Sequence, residues 1–220
     1  MDWIKNLKVG QKLNVLIALG AVFVLFVSLV GFLFLRNAQA YVKTMYDDRV
    51  LPIEWLMIVR VNLNATKANT YDLISASDYS RKNQLIENNT KRTEENNKLI
   101  DDYGKTKLDP YEAENLLKLK QLFSEYRPIR AKVIQLAMAE KDAQATSLFN
   151  SSDNKFEEIV ATVAGLADYN VKVASDIRMQ IEKDNKIANL ILLVSSIAAL
   201  VLLITIGKMI ADMVSKPIKN

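Results

Sequence analysis

The sequence has 220 residues, of which 50% are hydrophobic and 25% are charged, and its formal net charge is +4. It has no histidine and no cysteine, so the commonest general base, thiolate nucleophiles and the usual transition-metal ligands are missing. Neither a glycine-rich phosphate loop nor a convergent pair of carboxylates is present. We therefore expect no enzyme, no catalytic residues, no cofactor, no metal site and no disulfide.

The first predicted element is an apolar run of 23 residues, Leu13 to Leu35, interrupted among polar types only by Asn14 and Ser28. At about 1.5 Å per helical residue, this run is long enough to cross a hydrocarbon core of roughly 30 Å. An alternative is a cleaved signal peptide, since Ala38-Gln-Ala40 resembles a cleavage site. The length of the run favours a retained transmembrane helix.

A second periodic pattern follows the apolar run without a break. Positions spaced by seven, with companions three residues later, predict one long helix that contributes a seam to a helical bundle. Pro52 lies inside this pattern but does not change its phase, so we expect a kink there, and a turn at Ser77-Asp78. The seam positions are Val42, Met45, Arg49, Pro52, Leu56, Val59, Leu63, Thr66, Thr70, Leu73 and Ser77.

The next predicted helix, Tyr79 to about Tyr103, has a weak pattern. Its central stretch, Glu87 to Lys98, contains no apolar residue and is rich in Asn and Thr, which are poor helix formers. We interpret it as a solvated outer helix, with a functional polar patch as the alternative.

Gly104 to Leu108 is a predicted turn, and Asp109-Pro110-Tyr111-Glu112 is the clearest helix start in the chain. It combines an N-cap, a proline at the first helical position and an acid three residues after the cap. The third helix has its apolar seam at Leu119, Leu122, Tyr126, Ile129, Val133 and Leu136.

Glu140-Lys141-Asp142 marks the last predicted turn, and a fourth helix runs from there towards Ile187. Asn170 is an amide at an otherwise apolar seam position, and a buried amide of that kind typically lowers stability while fixing oligomeric state. We therefore expect Asn170→Leu to raise the melting temperature and to loosen a dimer. The seam positions are Phe149, Ser152, Phe156, Ile159, Val163, Leu166, Asn170, Val173, Ile177, Gln180 and Ile187.

A second uncharged run, Ile187 to Gly207, spans 21 residues and predicts a second transmembrane helix. The two flanks, 1–12 and 208–220, hold six lysines against Asp2 and Asp212, whereas the rest of the chain is neutral. Basic flanks beside membrane spans predict cytoplasmic termini and an extracytoplasmic middle domain. The basic charge thus indicates membrane topology and no nucleic-acid partner.

Together these elements predict an all-α protein, an antiparallel up-down-up-down four-helix bundle whose helices one and four continue into two transmembrane helices. The expected domains are a cytoplasmic flank at 1–12, a first span at 13–35, a bundle at 36–186, a second span at 187–207 and a cytoplasmic segment at 208–220.

This arrangement resembles the N-terminal part of bacterial methyl-accepting chemotaxis proteins. The stretch Met45 to Pro52 is similar to the start of that family's first helix, and Glu140 to Phe149 is similar to its corner between helices three and four. Val214 to Ile218 resembles the beginning of a HAMP linker. The resemblance covers essentially the whole chain.

The resemblance implies a receptor of the bacterial cytoplasmic membrane that acts as a homodimer and senses a small-molecule ligand or a periplasmic binding protein. A displacement of helix four would carry the signal across the membrane. The sequence stops at Asn220, so the downstream HAMP and signalling domains are missing from it, either because it is a fragment or because it is a truncated gene product. The alternatives are the sensor half of a two-span histidine kinase or cyclase, or a structural membrane bundle.

Amino-acid-sensing members of the family use arginines in the distal half of helix one, but Lys67 is the only cation between Val61 and Ser77 here. A set of polar residues in this same part of helix one is the candidate ligand site. The alternative is that its threonines bond to the preceding turn of their own helix. The candidate residues are Asn64, Thr66, Lys67, Asn69, Thr70 and Tyr71.

Overall fold

The computed structural model describes residues 7–215. Within that range every regular element is helical, which confirms the predicted all-α class. Residues 1–6 of the first flank, including Asp2, and the Pro217-Ile218 pair of the HAMP-like segment lie outside the described residues. The elements in chain order are α1 (Val9–Met45), a π-helical segment (Tyr46–Val50), α2 (Leu51–Ser75), α3 (Tyr79–Tyr103), α4 (Pro110–Met138), α5 (Asp142–Ser151) and α6 (Asp153–Ser215).

The chain divides into two compact units, of which the first is Lys43–Ile177 and the second combines residues 7–42 with 178–215. The second unit contains both apolar runs, and their large side chains are mostly exposed. Among the described residues, two helices are long and apolar enough to cross a membrane. The predicted domain boundaries near residues 36 and 186 stay predictions.

The unit Lys43–Ile177 is a helical bundle with a continuous apolar core. The spacing pattern located this core correctly on the first, third and fourth predicted helices, although the ends of two seams are exposed, Val42 and Ser77 on the first and Gln180 and Ile187 on the fourth. Its central part consists of fully or almost fully buried residues from four helices: Leu56, Val59, Leu63, Ile100, Tyr103, Leu116, Leu119, Leu122, Phe123, Tyr126, Phe156, Ile159, Val163, Leu166 and Ala167.

A π-helical segment explains how the first long helix passes Pro52. The Leu51 N–H donates to the Tyr46 carbonyl, five residues back, and α2 begins with Pro52 in its first turn. Proline has no N–H and its ring crowds the carbonyl four residues earlier, so a wider turn before it relieves both problems. The predicted kink is therefore realised as a local widening at Tyr46–Val50.

Contacts between side chains run in opposite order along neighbouring helices. Between α2 and α3, Asn62 bonds to Asn96 and Asn69 bonds to Asn89. Between α3 and α4, Asn97 accepts from Arg127 whereas Thr93, one turn earlier, accepts from Arg130. This order is that of antiparallel neighbours.

The prediction that Glu87–Lys98 is a solvated outer helix holds for eight of its twelve residues, which are exposed, but the stretch also has a buried polar face. Asn89 and Asn96 are 2% and 5% exposed, and both face α2. Asn62 donates to Asn96 Oδ1 at 3.1 Å and to Glu95 at 2.7 Å, and it accepts from Arg92 at 2.8 Å. Helix α3 therefore packs on α2 through polar side chains that hydrogen-bond to one another. A pattern of apolar residues could not predict this buried face, because the face contains none.

The fourth predicted helix is interrupted near its start. Helix α5 ends at Ser151, and buried Ser152 bonds through its hydroxyl to the Phe149 carbonyl before α6 begins. The turn before α5 places Glu140 at a φ of 57°. The Lys141 N–H bonds back to the Leu136 carbonyl at 3.0 Å, which closes the C-terminus of α4.

Candidate functional site

The six residues proposed from the sequence lie on different faces of α2. Thr66 and Thr70 point into the bundle, with exposed fractions of 4% and 1%. The Thr70 hydroxyl donates to the Thr66 carbonyl at 2.7 Å, so the bond to the preceding turn that the sequence offered as an alternative is present. Asn89 of α3 also donates to this hydroxyl at 3.4 Å.

Lys67 and Tyr71 face the other side of the bundle. Lys67 lies 2.5 Å from Asp153 and 3.0 Å from Glu157, and it stands 4.6 Å above the ring of Phe156. Partial burial acts to lower the pKa of Lys67, but its bonds to the two carboxylates outweigh that effect and the pKa is raised. Lys67 thus joins α2 to the start of α6.

The remaining two candidates point elsewhere again. Asn69 donates to Asn89 of α3 at 3.0 Å, whereas Asn64 is exposed and bonds only to the Arg60 carbonyl of its own helix. The six side chains therefore do not converge on one cavity. Asn64 and Tyr71 are the members open to solvent.

Sequence reasoning missed the most tightly bound polar cluster in the bundle. Arg49 of the π-helical segment lies 2.6 Å from Glu112 of α4, and the two side chains are 9% and 0% exposed. Arg49 also reaches the Lys107 carbonyl at 3.4 Å. A buried charge is tolerated only when it is paired and hydrogen-bonded, and here each ion neutralises the other.

Asn170 and Tyr103 complete the cluster. Asn170 accepts from Arg49 at 3.1 Å and donates to Glu112 at 3.0 Å, and Tyr103 donates to the same carboxylate at 2.9 Å. Burial and the adjacent Glu112 carboxylate raise the pKa of Tyr103, so the phenol stays protonated. The expectation that Asn170 is a destabilising amide is replaced by a specific role, since it bonds to both ions.

The start of α4 holds this cluster in place. Asp109 accepts from the Glu112 N–H at 3.0 Å, and Glu112 accepts from the Asp109 N–H at 3.0 Å, which confirms the predicted capping box. Burial acts to raise the pKa of Asp109, but the Tyr169 hydroxyl, the Glu112 N–H and the charge of Arg49 outweigh it and the pKa is lowered. The capping carboxylate Glu112 therefore has two partners at once, the helix N-terminus and Arg49.

The cluster joins four helical segments of the bundle through one carboxylate. Arg49 comes from the first segment, Tyr103 from α3, Glu112 from α4 and Asn170 from α6. Its groups are buried and, apart from one nitrogen of Arg49, bonded to one another, so the arrangement holds the four segments together. Arg49 Nε is the one buried side-chain polar atom without a hydrogen-bond partner among the described residues.

Comparison with known proteins gives an independent result. No curated protein matches the chain. The family described as a four helix bundle sensory module for signal transduction matches residues 6–186, which is most of the sequence and includes the whole bundle. The chain belongs to this family of four-helix-bundle sensory modules, as its resemblance to chemotaxis receptors implied.

Proposed function

We propose that this sensory module detects a stimulus outside the cytoplasm and transmits it through the bacterial cytoplasmic membrane as a displacement of its last helix. The termini would be cytoplasmic, and a HAMP linker with a methyl-accepting signalling domain would receive the signal. The family assignment supports sensing, and the basic flanks beside the two apolar runs support the orientation.

The observation that carries the proposal is the continuity of α6. This helix has 63 residues, from Asp153 to Ser215, and it contains both the bundle seam around Ile159–Asn170 and the uncharged run Ile187–Gly207. A helix transmits an axial displacement along its hydrogen-bonded backbone without an intervening joint. No linker separates the sensing seam from the apolar run.

A double glycine at Asp184-Asn185 tests this mechanism. The pair is expected to weaken the helix by about 1–2 kcal/mol, since glycine lowers helix stability by about 1 kcal/mol per residue. In a chimera with a known receptor output joined after Asn220, it should uncouple stimulus from response while leaving stimulus binding nearly unchanged. The matched control is Ala-Ala at the same positions. Full signalling through the Gly-Gly joint would contradict the mechanism.

The orientation is tested separately with introduced cysteines, because the chain has none of its own. Cysteines at Asn6 and at exposed Asp101 should react with an impermeant reagent from opposite sides of the membrane. Equal labelling of both positions in intact cells would rule out two spans with cytoplasmic termini.

We also propose that the module acts as a homodimer and that α2 supplies the contact. Four large side chains, each at least 42% exposed, project from the outer face of the first long helix at heptad-like spacing. Tyr71, the last of the four, also has its ring centroid 6.4 Å from that of Phe149 on α5. Val61 lies at the centre of this outer stripe. Its members and their exposed fractions are Val50 (42%), Met57 (44%), Val61 (62%) and Tyr71 (58%).

Disulfide trapping tests this dimer. A cysteine at Val61 should form a disulfide between two chains under mild oxidation in membranes. A cysteine at Leu117, which is 70% exposed on α4, is the control and should remain monomeric. Equal crosslinking at both positions would show that collision, not a defined interface, produces the disulfide.

The ligand group proposed from the sequence also stays a proposal. Its solvent-facing members, Asn64 and Tyr71, are on or beside the outer stripe, so a small molecule or a periplasmic binding protein could reach them from outside the bundle. Asn64→Ala and Tyr71→Ala should each weaken the response more than Thr66→Ala does, when variants with the same folded fraction are compared. The opposite ranking would move the stimulus site away from this face.

A further inference from the structure

The π-helical segment Tyr46–Val50 adds one residue to a turn of the first long helix. The Leu51 N–H reaches five residues back, to the Tyr46 carbonyl, whereas an α-helical bond reaches four residues back. One extra residue, at about 3.6 residues per turn, rotates the preceding part of the helix by about 100° relative to α2. Side chains before Tyr46 therefore face a different direction from the one that an uninterrupted α-helix would give them.

The heptad pattern of the sequence is that of the uninterrupted helix. Val42, Arg49 and Leu56 fall at steps of seven, which leaves no place for an extra residue. In the structure Val42 is instead 53% exposed, whereas Tyr41, one residue earlier, is half-buried. The buried side of the helix is thus displaced by one residue below the π-helical segment, and an apolar seam residue faces outward.

Contacts with three other parts of the bundle hold the segment in its π form. Asp48 Oδ1 accepts from the Lys107 N–H at 3.1 Å, and Arg49 donates to the Lys107 carbonyl at 3.4 Å. Both backbone groups of Lys107, in the turn between α3 and α4, are thus bonded to consecutive residues of the segment. Arg49 also bonds to Glu112 of α4 at 2.6 Å and to Asn170 of α6 at 3.1 Å.

Local preferences at the segment oppose one another. Pro52 favours the π form, because in an α-helix the residue at this position would donate to the Asp48 carbonyl, and proline has no N–H and crowds that carbonyl. The apolar seam favours the α form, because only that form turns Val42 back towards the buried side of the helix. A segment whose local signals disagree in this way has two forms of similar free energy.

We propose that Tyr46–Val50 is a two-state joint, in which the π form of this structure interconverts with an α-helical form that returns Val42 to the seam. The conversion turns the part of the helix before Tyr46 by about 100° relative to α2. The bonds of Asp48 and Arg49 set the balance between the two forms. This device acts on the first helix and not on α6, so it goes beyond the displacement proposed above and is tested independently of it.

Distances between pairs of spin labels in the full chain, purified in detergent micelles, measure this rotation. The chain has no cysteine of its own, so labels attach only at introduced cysteines. Lys43→Cys carries the reporter, and Asp101→Cys on α3 or Glu114→Cys on α4 carries the reference, all at exposed positions. A side chain about 5–6 Å from the helix axis moves by about 8 Å on such a turn. At least one of the two distances should therefore change by several Å.

Two changes are expected to favour the α form. Pro52→Ala supplies the missing N–H, and the double variant Arg49→Leu/Glu112→Gln removes both charges that hold the segment. The wild type should give mainly one distance for each label pair, and each of the two variants should add a second distance. Arg60→Leu is the matched control, because Arg60 is an exposed arginine of α2. It should give the wild-type distances alone.

Deletion of Asp47 shows whether the second distance comes from the extra residue. The deletion shortens the wide turn to an α-helical one, while the residues before it keep the direction that they have in this structure. When the deletion is combined with Pro52→Ala, the second distance should therefore disappear and the wild-type distances should return.

Three results would overturn the proposal. The first is wild-type distances alone in both Pro52→Ala and the folded double variant. The second is a second distance in Pro52→Ala that persists after deletion of Asp47, and the third is the same second distance in Arg60→Leu. If Arg49→Leu/Glu112→Gln does not fold by circular dichroism, Pro52→Ala with and without Asp47 decides.

Discussion

Replacement of Asn170 by leucine is the sharpest test of the buried cluster. The amide makes four hydrogen bonds, of which the bonds to Arg49 (3.1 Å) and Glu112 (3.0 Å) join ionised groups. The other two join the Tyr103 hydroxyl at 3.3 Å and the Leu166 carbonyl at 3.0 Å. Leucine can replace none of them, and Asn170 is 0% exposed, so water cannot replace them either.

The expected loss follows from these contacts. Hydrogen bonds to charged groups contribute about 1.5–3 kcal/mol each, so the two ionic bonds together represent about 3–6 kcal/mol. A buried leucine side chain returns roughly 2 kcal/mol of that. We therefore expect the free energy of unfolding to fall by about 1–4 kcal/mol, which lowers the melting temperature by roughly 3–15 °C for a unit of this size.

Thermal unfolding of the full chain in micelles, followed by circular dichroism, measures this loss. Asn115→Leu is the matched control, because Asn115 bonds only to the Tyr111 carbonyl of its own helix at 2.9 Å and should change the melting temperature by little. A melting temperature of Asn170→Leu equal to or above that of the wild type would refute the role assigned to the cluster. It would instead support the simple rule that an amide in an apolar seam is destabilising.

Three further outcomes are expected. Glu140→Gly should raise the free energy of unfolding by up to about 1 kcal/mol, because a φ of 57° suits glycine, whereas Glu140→Ala should not raise it. Because the pKa of Asp109 is lowered in the fold, its ionised carboxylate contributes stability above about pH 4, and this contribution is lost as the pH falls. The free energy of unfolding of Asp109→Asn should therefore fall less steeply with decreasing pH than that of the wild type. Thr70→Val should lower the free energy of unfolding by about 1 kcal/mol, measured as a lower urea midpoint, because the Asn89 amide loses an acceptor.

The sequence predicted the elements whose signals are local. The capping box at Asp109 and Glu112 depends on two residues three positions apart, and the structure has both of its bonds. Apolar spacing predicted the core of α2, α4 and α6 because hydrophobic side chains at heptad positions lie on one face of a helix, and that face is buried against the other helices. Helix α3 was bounded correctly at Tyr79 and Tyr103, but its buried face was not found.

The missed features are polar groups whose partners are distant in sequence. Asn89 and Asn96 occupy seam positions of α3, and a pattern based on hydrophobicity assigns them to solvent. Arg49 and Asn170 were placed on seams, but their common partner Glu112 lies 63 and 58 residues away. An antiparallel alignment of the seams would have put these polar residues at one level and would have suggested that they pair.

The polar face between α2 and α3 also determines how far these two helices can slide along each other. Its two amide pairs are seven residues apart on both helices, Asn62 with Asn96 and Asn69 with Asn89. An apolar heptad seam tolerates a slip of one repeat, because one leucine resembles the next. Here a slip of seven residues in one direction keeps one amide pair and sets Asn62 opposite Tyr103.

A slip in the other direction sets Asn69 opposite Lys82. Either slip leaves buried amides without their partners, and a buried polar group that lacks a hydrogen bond costs about 1–3 kcal/mol. The amide pairs therefore select a single alignment of the hairpin during folding, a choice that leucines at the same four positions would leave open.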